Sequence, residues 1–143
     1  MSKKLKIGIL STANIADRAL VKPARNLDNI EVAAVSSRKK LRAWWYAKRK
    51  SIGKSYGSYE KMLKDPDIDA VYNPMPNGLH AEWSIKALKS GLHVLCEKPL
   101  SSNLSEALEM RKVAQQENLV LAEAFHFRYH PLAKRIRGLV KSG

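Results

Sequence analysis

Lys6-Ile7-Gly8-Ile9-Leu10-Ser11-Thr12-Ala13-Asn14-Ile15-Ala16 is the stretch that settles the fold. Lys6 to Leu10 is a short apolar run that reads as a buried strand, and the small polar residues after it read as a bend. A helix from about Ile15 to Ala24 follows. The same rhythm then repeats along the chain. Val32, Ala33, Ala34 and Val35 form a second strand, followed by a basic amphipathic helix around Leu41 to Lys50. After a turn at Gly53 comes a brief extended segment near Tyr56. Ser58 is well placed to cap a short helix through Met62 and Leu63 that stops before Pro66.

Ala70 to Tyr72 reads as the next strand, and a helix from about His80 to Lys89 ends at Gly91, a residue suited to a left-handed C-terminus. His93 to Cys96 is a further buried strand. Asn103 with Glu106 has capping-box spacing and opens a long helix to about Gln116, after which Leu119 to Ala122 is extended. Short apolar strands alternating with longer amphipathic helices predict an α/β fold, a parallel sheet wrapped on both faces. The aromatic run from Phe125 to Tyr129 breaks the rhythm, so a domain boundary is expected after residue 124. Trp44 and Trp45 are expected to pack on the sheet, one of them partly exposed, and His93 to be a core or helix-packing residue.

The 143 residues suffice for one domain with a hydrophobic core, and 45% hydrophobic with 27% charged content is that of a globular chain. No apolar run approaches a membrane span, and the basic N-terminus is followed by too short an apolar stretch for a secretory signal. Cys96 is the only cysteine, which suits a reducing compartment, so the cytoplasm is expected. The net charge of +13 raises an anionic partner, and it gathers between Arg38 and Lys54 and again at Lys134, Arg135, Arg137 and Lys141. Neither stretch carries a recognition helix, an aromatic-studded strand pair or a Cys/His finger. Solvated helix faces are the expectation, with no nucleic acid and no membrane as partner. His126 and His130 lack accompanying Cys or acidic ligands, so no metal site is expected.

In a sheet of this kind ligands bind at the carboxyl ends of the strands, beside helix N-termini whose free N–H groups attract phosphate. The bend Ser11, Thr12, Ala13, Asn14, Ile15, Ala16 sits where a G-x-G-x-x-A dinucleotide fingerprint would, with Ser11 and Ala13 replacing both leading glycines. Small residues still let a pyrophosphate approach; a plain βα turn would look the same. After the second strand comes Ser36-Ser37-Arg38 rather than a carboxylate. A hydroxyl and a guanidinium suit a ribose 2′-phosphate, which favours NADP(H) over NAD(H), unless Arg38 is simply exposed in the next helix's first turn.

Three later segments carry a family resemblance. They are Asp69-Ala70-Val71-Tyr72-Asn73-Pro74-Met75-Pro76-Asn77-Gly78-Leu79-His80, then Gly91-Leu92-His93-Val94-Leu95-Cys96-Glu97-Lys98-Pro99-Leu100, and Glu123-Ala124-Phe125-His126-Phe127-Arg128-Tyr129-His130-Pro131. In order and spacing the chain resembles the glucose-fructose oxidoreductase, inositol dehydrogenase and rhizopine-catabolism (Gfo/Idh/MocA) family, whose most specific mark is Glu-Lys-Pro at a strand end. Within it the pattern is similar to dihydrodiol dehydrogenases and NADP-dependent xylose dehydrogenases.

The resemblance implies a Rossmann-type doubly wound sheet over residues 1–124 that binds a nicotinamide dinucleotide. It also implies hydride transfer to or from a sugar, polyol or dihydrodiol. Lys98 would be catalytic, its cation stabilising developing oxyanion charge or relaying a proton beside the nicotinamide, with Pro99 stiffening its backbone. A surface lysine at a strand end is the other reading. Ser11, Thr12, Ala13, Asn14 and Ile15 would underlie the pyrophosphate, and Ser37 and Arg38 the adenosine ribose. Asn73, Pro74, Pro76, Asn77 and His80 would run along the pyrophosphate and nicotinamide ribose, and Glu97 and Arg128 would lie near the cofactor. Asn77 could equally be only a turn residue, His80 only a helix start, and Arg128 only a connector residue. Relatives continue into a second α/β domain holding most substrate contacts and the oligomer interface. Residues 125–143 would then be the connector and the first helix of that domain, with a homo-oligomer possible for the longer form. The chain is expected to be a fragment or truncated form of such an oxidoreductase, or alternatively a non-catalytic dinucleotide-binding or interaction module.

Overall fold

In a computed structural model that describes residues 4–143, β1 (Leu5–Leu10) runs through the middle of the molecule and is buried over its last four residues. Residues 1–3, part of the basic start of the chain, lie outside the described residues. β1 is flanked by β2 (Ile30–Ser36) on one side and by β4 (Ala70–Asn73) on the other, and both pairings are parallel. β3 (Lys54–Tyr56) extends the sheet beyond β2, and β5 (His93–Cys96) and β6 (Leu121–Glu123) extend it beyond β4. The order β3-β2-β1-β4-β5-β6 is that of a doubly wound sheet, whose connections reverse direction between β1 and β4.

Helices cover both faces. On one, α1 (Asn14–Ala16), a π-helical stretch (Asp17–Val21) and α2 (Lys22–Ala24) run on as one helix beside α3 (Lys40–Lys50). These helices and the strands beneath them bury Ile7, Ile9, Leu20, Val21, Val35 and Tyr72 together. The wide turn precedes Pro23, which has no N–H to return to the turn before it. Lys50 Nζ, 2.8 Å from Asp17 Oδ2, ties this helix to the end of α3. On the opposite face, α4 (Tyr59–Leu63), α5 (His80–Lys89) and α6 (Leu104–Gln116) close over Met62, Ile68, Val71, Leu88, Val94 and Met110.

The caps are those anticipated from the sequence. Ser58 Oγ accepts from Lys61 N–H, and Asn103 Oδ1 accepts from Glu106 N–H. The Glu106 carboxylate turns back to Ser102 N–H and to the Asn103 amide. Gly91 has φ +82°, the left-handed conformation that a residue without Cβ adopts freely.

Two expectations are corrected. Trp44 and Trp45 do not pack on the sheet: they are 41% and 55% exposed and meet each other edge-on with centroids 4.8 Å apart. Ala43 and Ala47, four residues apart, form the buried face of α3, and side chains this small bring the helix close enough to leave the tryptophans on its flank. His93 is only half-buried, and its Nδ1 accepts from Val120 N–H, so it serves the β5–β6 seam. Beyond β6 the chain makes a 3₁₀ turn (His126–Tyr129) and α7 (Pro131–Ser142), with Pro131 in its first turn and His130 Nδ1 as its cap. No residue of α7 is buried. No helix among the described residues is long and apolar enough to cross a membrane.

Candidate functional site

The carboxyl ends of β1, β2 and β4 open into one cleft of about 950 Å³. It lies at the point where the strand order reverses, because the helices leaving β1 and β4 depart to opposite faces and leave the strand ends between them uncovered. Its floor is the bend after β1. Ser11 has φ +86°, and its N–H donates to Ser36 O at 3.1 Å. Its Oγ is buried and has no partner. Ala13 is extended and offers no side-chain cap, so the first N–H groups of the following helix are not taken by one.

The wall after β2 is basic. Ser36 Oγ donates to Ile9 O at 3.1 Å and holds the two strand ends together, and the buried Ser37 accepts from Lys39 N–H through its Oγ. Arg38, Lys39 and Arg42 are exposed and line this end of the cleft. Gly57, after β3, passes so close to α3 that a Cβ would lie 2.8 Å from Lys40 Cβ. Tyr59 and Trp83, edge to face at 4.9 Å, complete the rim with Pro74, Met75, Pro76 and Leu79.

Of the residues singled out from the sequence, Ser11, Thr12, Ala13, Ser37, Arg38, Pro74 and Pro76 line the cleft together. Asn14 and Ile15 follow in the first helical turn, and Asn77 opens a 3₁₀ turn (Asn77–Leu79) behind Pro76. Asn73 is fully buried: its amide N–H groups go to His80 O and Ser84 Oγ, and its Oδ1 accepts from Met75 N–H. His80 is also fully buried, with both ring nitrogens against backbone carbonyls. Arg128 is exposed in the 3₁₀ turn after β6 and does not line the cleft. His126 and His130 are exposed, and no group of three potential metal ligands occurs among the described residues.

Glu97, Lys98 and Pro99 form a corner beyond β5, and the Lys98–Pro99 peptide bond is cis. Lys98 is exposed, whereas Glu97 is buried and accepts from Tyr72 Oη at 2.5 Å and from Lys98 N–H at 3.2 Å. Burial and the facing Glu97 carboxylate hold the Tyr72 phenol far above its ordinary range, so it stays a donor. Glu123 Oε1 accepts from Leu100 N–H at 2.8 Å, and Pro99 O faces His80. The corner is therefore held from β4, β6 and α5 at once.

The sequence reading missed Lys39, Arg42 and the Gly57–Glu60 segment. The first two belong to the charge cluster read as a solvated face. Arg42 lies in the first turn of α3 and Arg38 two residues before that helix begins, so the bend between strand and helix is what brings both to the cleft. The segment after β3 carried no signal of its own.

A family model described as "Oxidoreductase family, NAD-binding Rossmann fold" (GFO_IDH_MocA) matches residues 5–125. The chain is 44% identical over 138 residues to D-xylose 1-dehydrogenase (NADP(+)) 2 of Haloferax volcanii, an alignment covering 96% of this chain and 42% of that protein. It is 39% identical over 143 residues to dTDP-3,4-didehydro-2,6-dideoxy-alpha-D-glucose 3-reductase of Saccharopolyspora spinosa, covering 100% of this chain and 43% of the relative. A 3-ketoreductase from Actinomadura kijaniata, solved with NADP, superposes with a TM-score of 0.89 at 34% identity over 99% of this chain and 45% of the other. The chain thus spans less than half the length of these relatives.

Proposed function

Because the chain belongs to the Gfo/Idh/MocA oxidoreductase family, we propose that its cleft binds NADP(H) in preference to NAD(H) and that it is the cofactor-binding part of a dehydrogenase or reductase. The observation that carries this reading is the cleft at the strand-order reversal, with a buried, unpartnered Ser11 Oγ on its floor and Arg38, Lys39 and Arg42 at one end. An anionic diphosphate is the ligand a helix N-terminus and an orphaned hydroxyl suit, and three cations beside Ser37 suit a further phosphate on the ribose. A carboxylate there would repel it. Ser11, Thr12 and Ala13 would hold the pyrophosphate, Ser37, Arg38, Lys39 and Arg42 the phosphorylated ribose, and Pro74 and Pro76 the wall towards the nicotinamide.

When bound, the dinucleotide supplies hydride chemistry. The substrate class is a sugar, polyol or dihydrodiol, and the sugar is the class printed in the names of the xylose dehydrogenase and the dTDP-sugar reductase. Lys98 is the residue we assign to catalysis: an exposed ammonium on a corner fixed by Glu97 and Glu123 can stabilise a substrate oxyanion or pass it a proton. Residues 125–143 we read as the connector and first helix of a second domain that completes the substrate site and the homo-oligomer interface. The absence of a nucleic-acid partner and a cytoplasmic location belong to the same reading, the latter consistent with the single, buried cysteine.

Titrating the purified chain with NADPH and NADH, followed by nicotinamide fluorescence, tests it. NADPH binds tighter, and Lys98→Ala leaves affinity nearly unchanged because its role is chemical. No binding of either nucleotide refutes the assignment, and loss of binding in Lys98→Ala refutes the role given to Lys98.

A further inference from the structure

Two backbone carbonyls face a single imidazole. His80, the first residue of α5, is completely buried, with Nε2 2.6 Å from Met75 O and Nδ1 2.7 Å from Pro99 O. A carbonyl oxygen only accepts, and a neutral imidazole carries one N–H. In the neutral ring, one of these contacts would set lone pair against lone pair at hydrogen-bond distance. Both are hydrogen bonds only when both nitrogens are protonated.

The two acceptors belong to different parts of the site. Met75 lies in the cleft wall after β4, and Pro99 follows Lys98 directly. Asn73 locks the first of these parts from the other side, donating to His80 O at 3.1 Å and accepting from Met75 N–H at 3.3 Å. The wall, the start of α5 and the lysine corner are thereby joined through one ring.

We propose that His80 is a positioning residue, a doubly protonated clamp that sets the Lys98 corner against the nicotinamide end of the cleft by holding Met75 O and Pro99 O together. The proposal rests on the reading of the cleft as an NADP(H) site with Lys98 at its reacting end. The clamp itself is a property of the protein without ligand.

Nitrogen-15 NMR of histidine-labelled protein at neutral pH tests the clamp directly. His80, identified by comparison with His80→Gln, shows two slowly exchanging ring N–H protons, whereas His93, His126 and His130 are half-buried or exposed and exchange quickly. A single ring N–H on His80 overturns the proposal, whether or not the variant folds. Glutamine donates from one amide and cannot span both carbonyls, so in His80→Gln the affinity for NADPH falls about tenfold while that for 2′,5′-ADP, which lacks the nicotinamide end, stays within about twofold. Equal losses for both, or none for NADPH, overturn the positioning role. If the wild-type chain binds neither nucleotide, the cofactor reading falls and the positioning role with it, and the ring N–H count alone then decides for or against the clamp.

Discussion

Replacing Ser11 with glycine should make the protein more stable and a poorer binder of NADPH. Ser11 holds φ +86°, where an L-residue is disfavoured by about 1–2 kcal/mol. Its buried hydroxyl has no partner, a further penalty of about 1–3 kcal/mol. Glycine removes both costs and returns about 0.5–1 kcal/mol through the greater freedom of the unfolded chain. The net gain is about 1–4 kcal/mol, which for a domain of this size raises Tm by roughly 3–12 °C. The same hydroxyl is the group we expect to donate to the pyrophosphate, and a hydrogen bond to a charged partner contributes about 1.5–3 kcal/mol. Ser11→Gly should therefore weaken NADPH binding by at least about tenfold. Differential scanning fluorimetry on the free protein and fluorescence titration with NADPH measure the two effects separately. A lower Tm would refute the strain argument, and unchanged affinity would refute the role assigned to the hydroxyl.

Arg38→Ala with Arg42→Ala should cost about 2 kcal/mol of NADPH binding, roughly thirtyfold, and leave NADH affinity within about twofold; equal losses would place the arginines elsewhere than at the 2′-phosphate. Asp65 is buried, which alone would raise its pKa, but Tyr56 Oη at 2.7 Å, Lys54 Nζ at 2.9 Å and Asp67 N–H at 3.0 Å outweigh burial and lower it. Its contribution is thus complete above the unfolded carboxylate value near 3.9 and is lost as pH falls through the lower folded value. In urea melts, Asp65→Asn should be less stable by about 1–2 kcal/mol at neutral pH, and the gap from wild type should close below about pH 4. A gap independent of pH would mean that the carboxylate's charge is not what matters. Burial pushes the Cys96 thiol up to about 12. At pH 8 the thiolate fraction is then on the order of 10⁻⁴, so a thiol reagent should label Cys96 only upon unfolding, and rapid labelling of the native protein would show that the corner beside Glu97 opens.

The alternation of elements was legible because each βα unit carries its own local signals. Strands announce themselves as short apolar runs, and Ser58, Asn103 and Gly91 mark helix ends through bonds and backbone angles that involve only near neighbours. Ser37 and Arg38 could be read as phosphate ligands because they follow a strand directly, and strand ends form one rim whatever else the fold does. The Glu97-Lys98-Pro99 corner was legible only through resemblance, since nothing local distinguishes its lysine from any other at a strand end.

Other features depend on which segments meet. The Gly57–Glu60 segment joins the cleft only because β3 lies beside β2 at the edge of the sheet, an adjacency no stretch of the chain encodes by itself. The tryptophans of α3 face outward because the two alanines bring that helix close to the sheet, and hydrophobicity alone points the other way. His80 reads along the chain as an ordinary helix start. Its two carbonyl partners, 5 residues before it and 19 after, are brought to one ring by the parallel pairing of β4 with β5. Local sequence determined the elements, their caps and which residues stand at the strand ends, because those depend on neighbours in the chain. The strained Ser11, the basic wall and the buried histidine were decided by tertiary structure, because each is a matter of which backbone or side chain arrives from elsewhere.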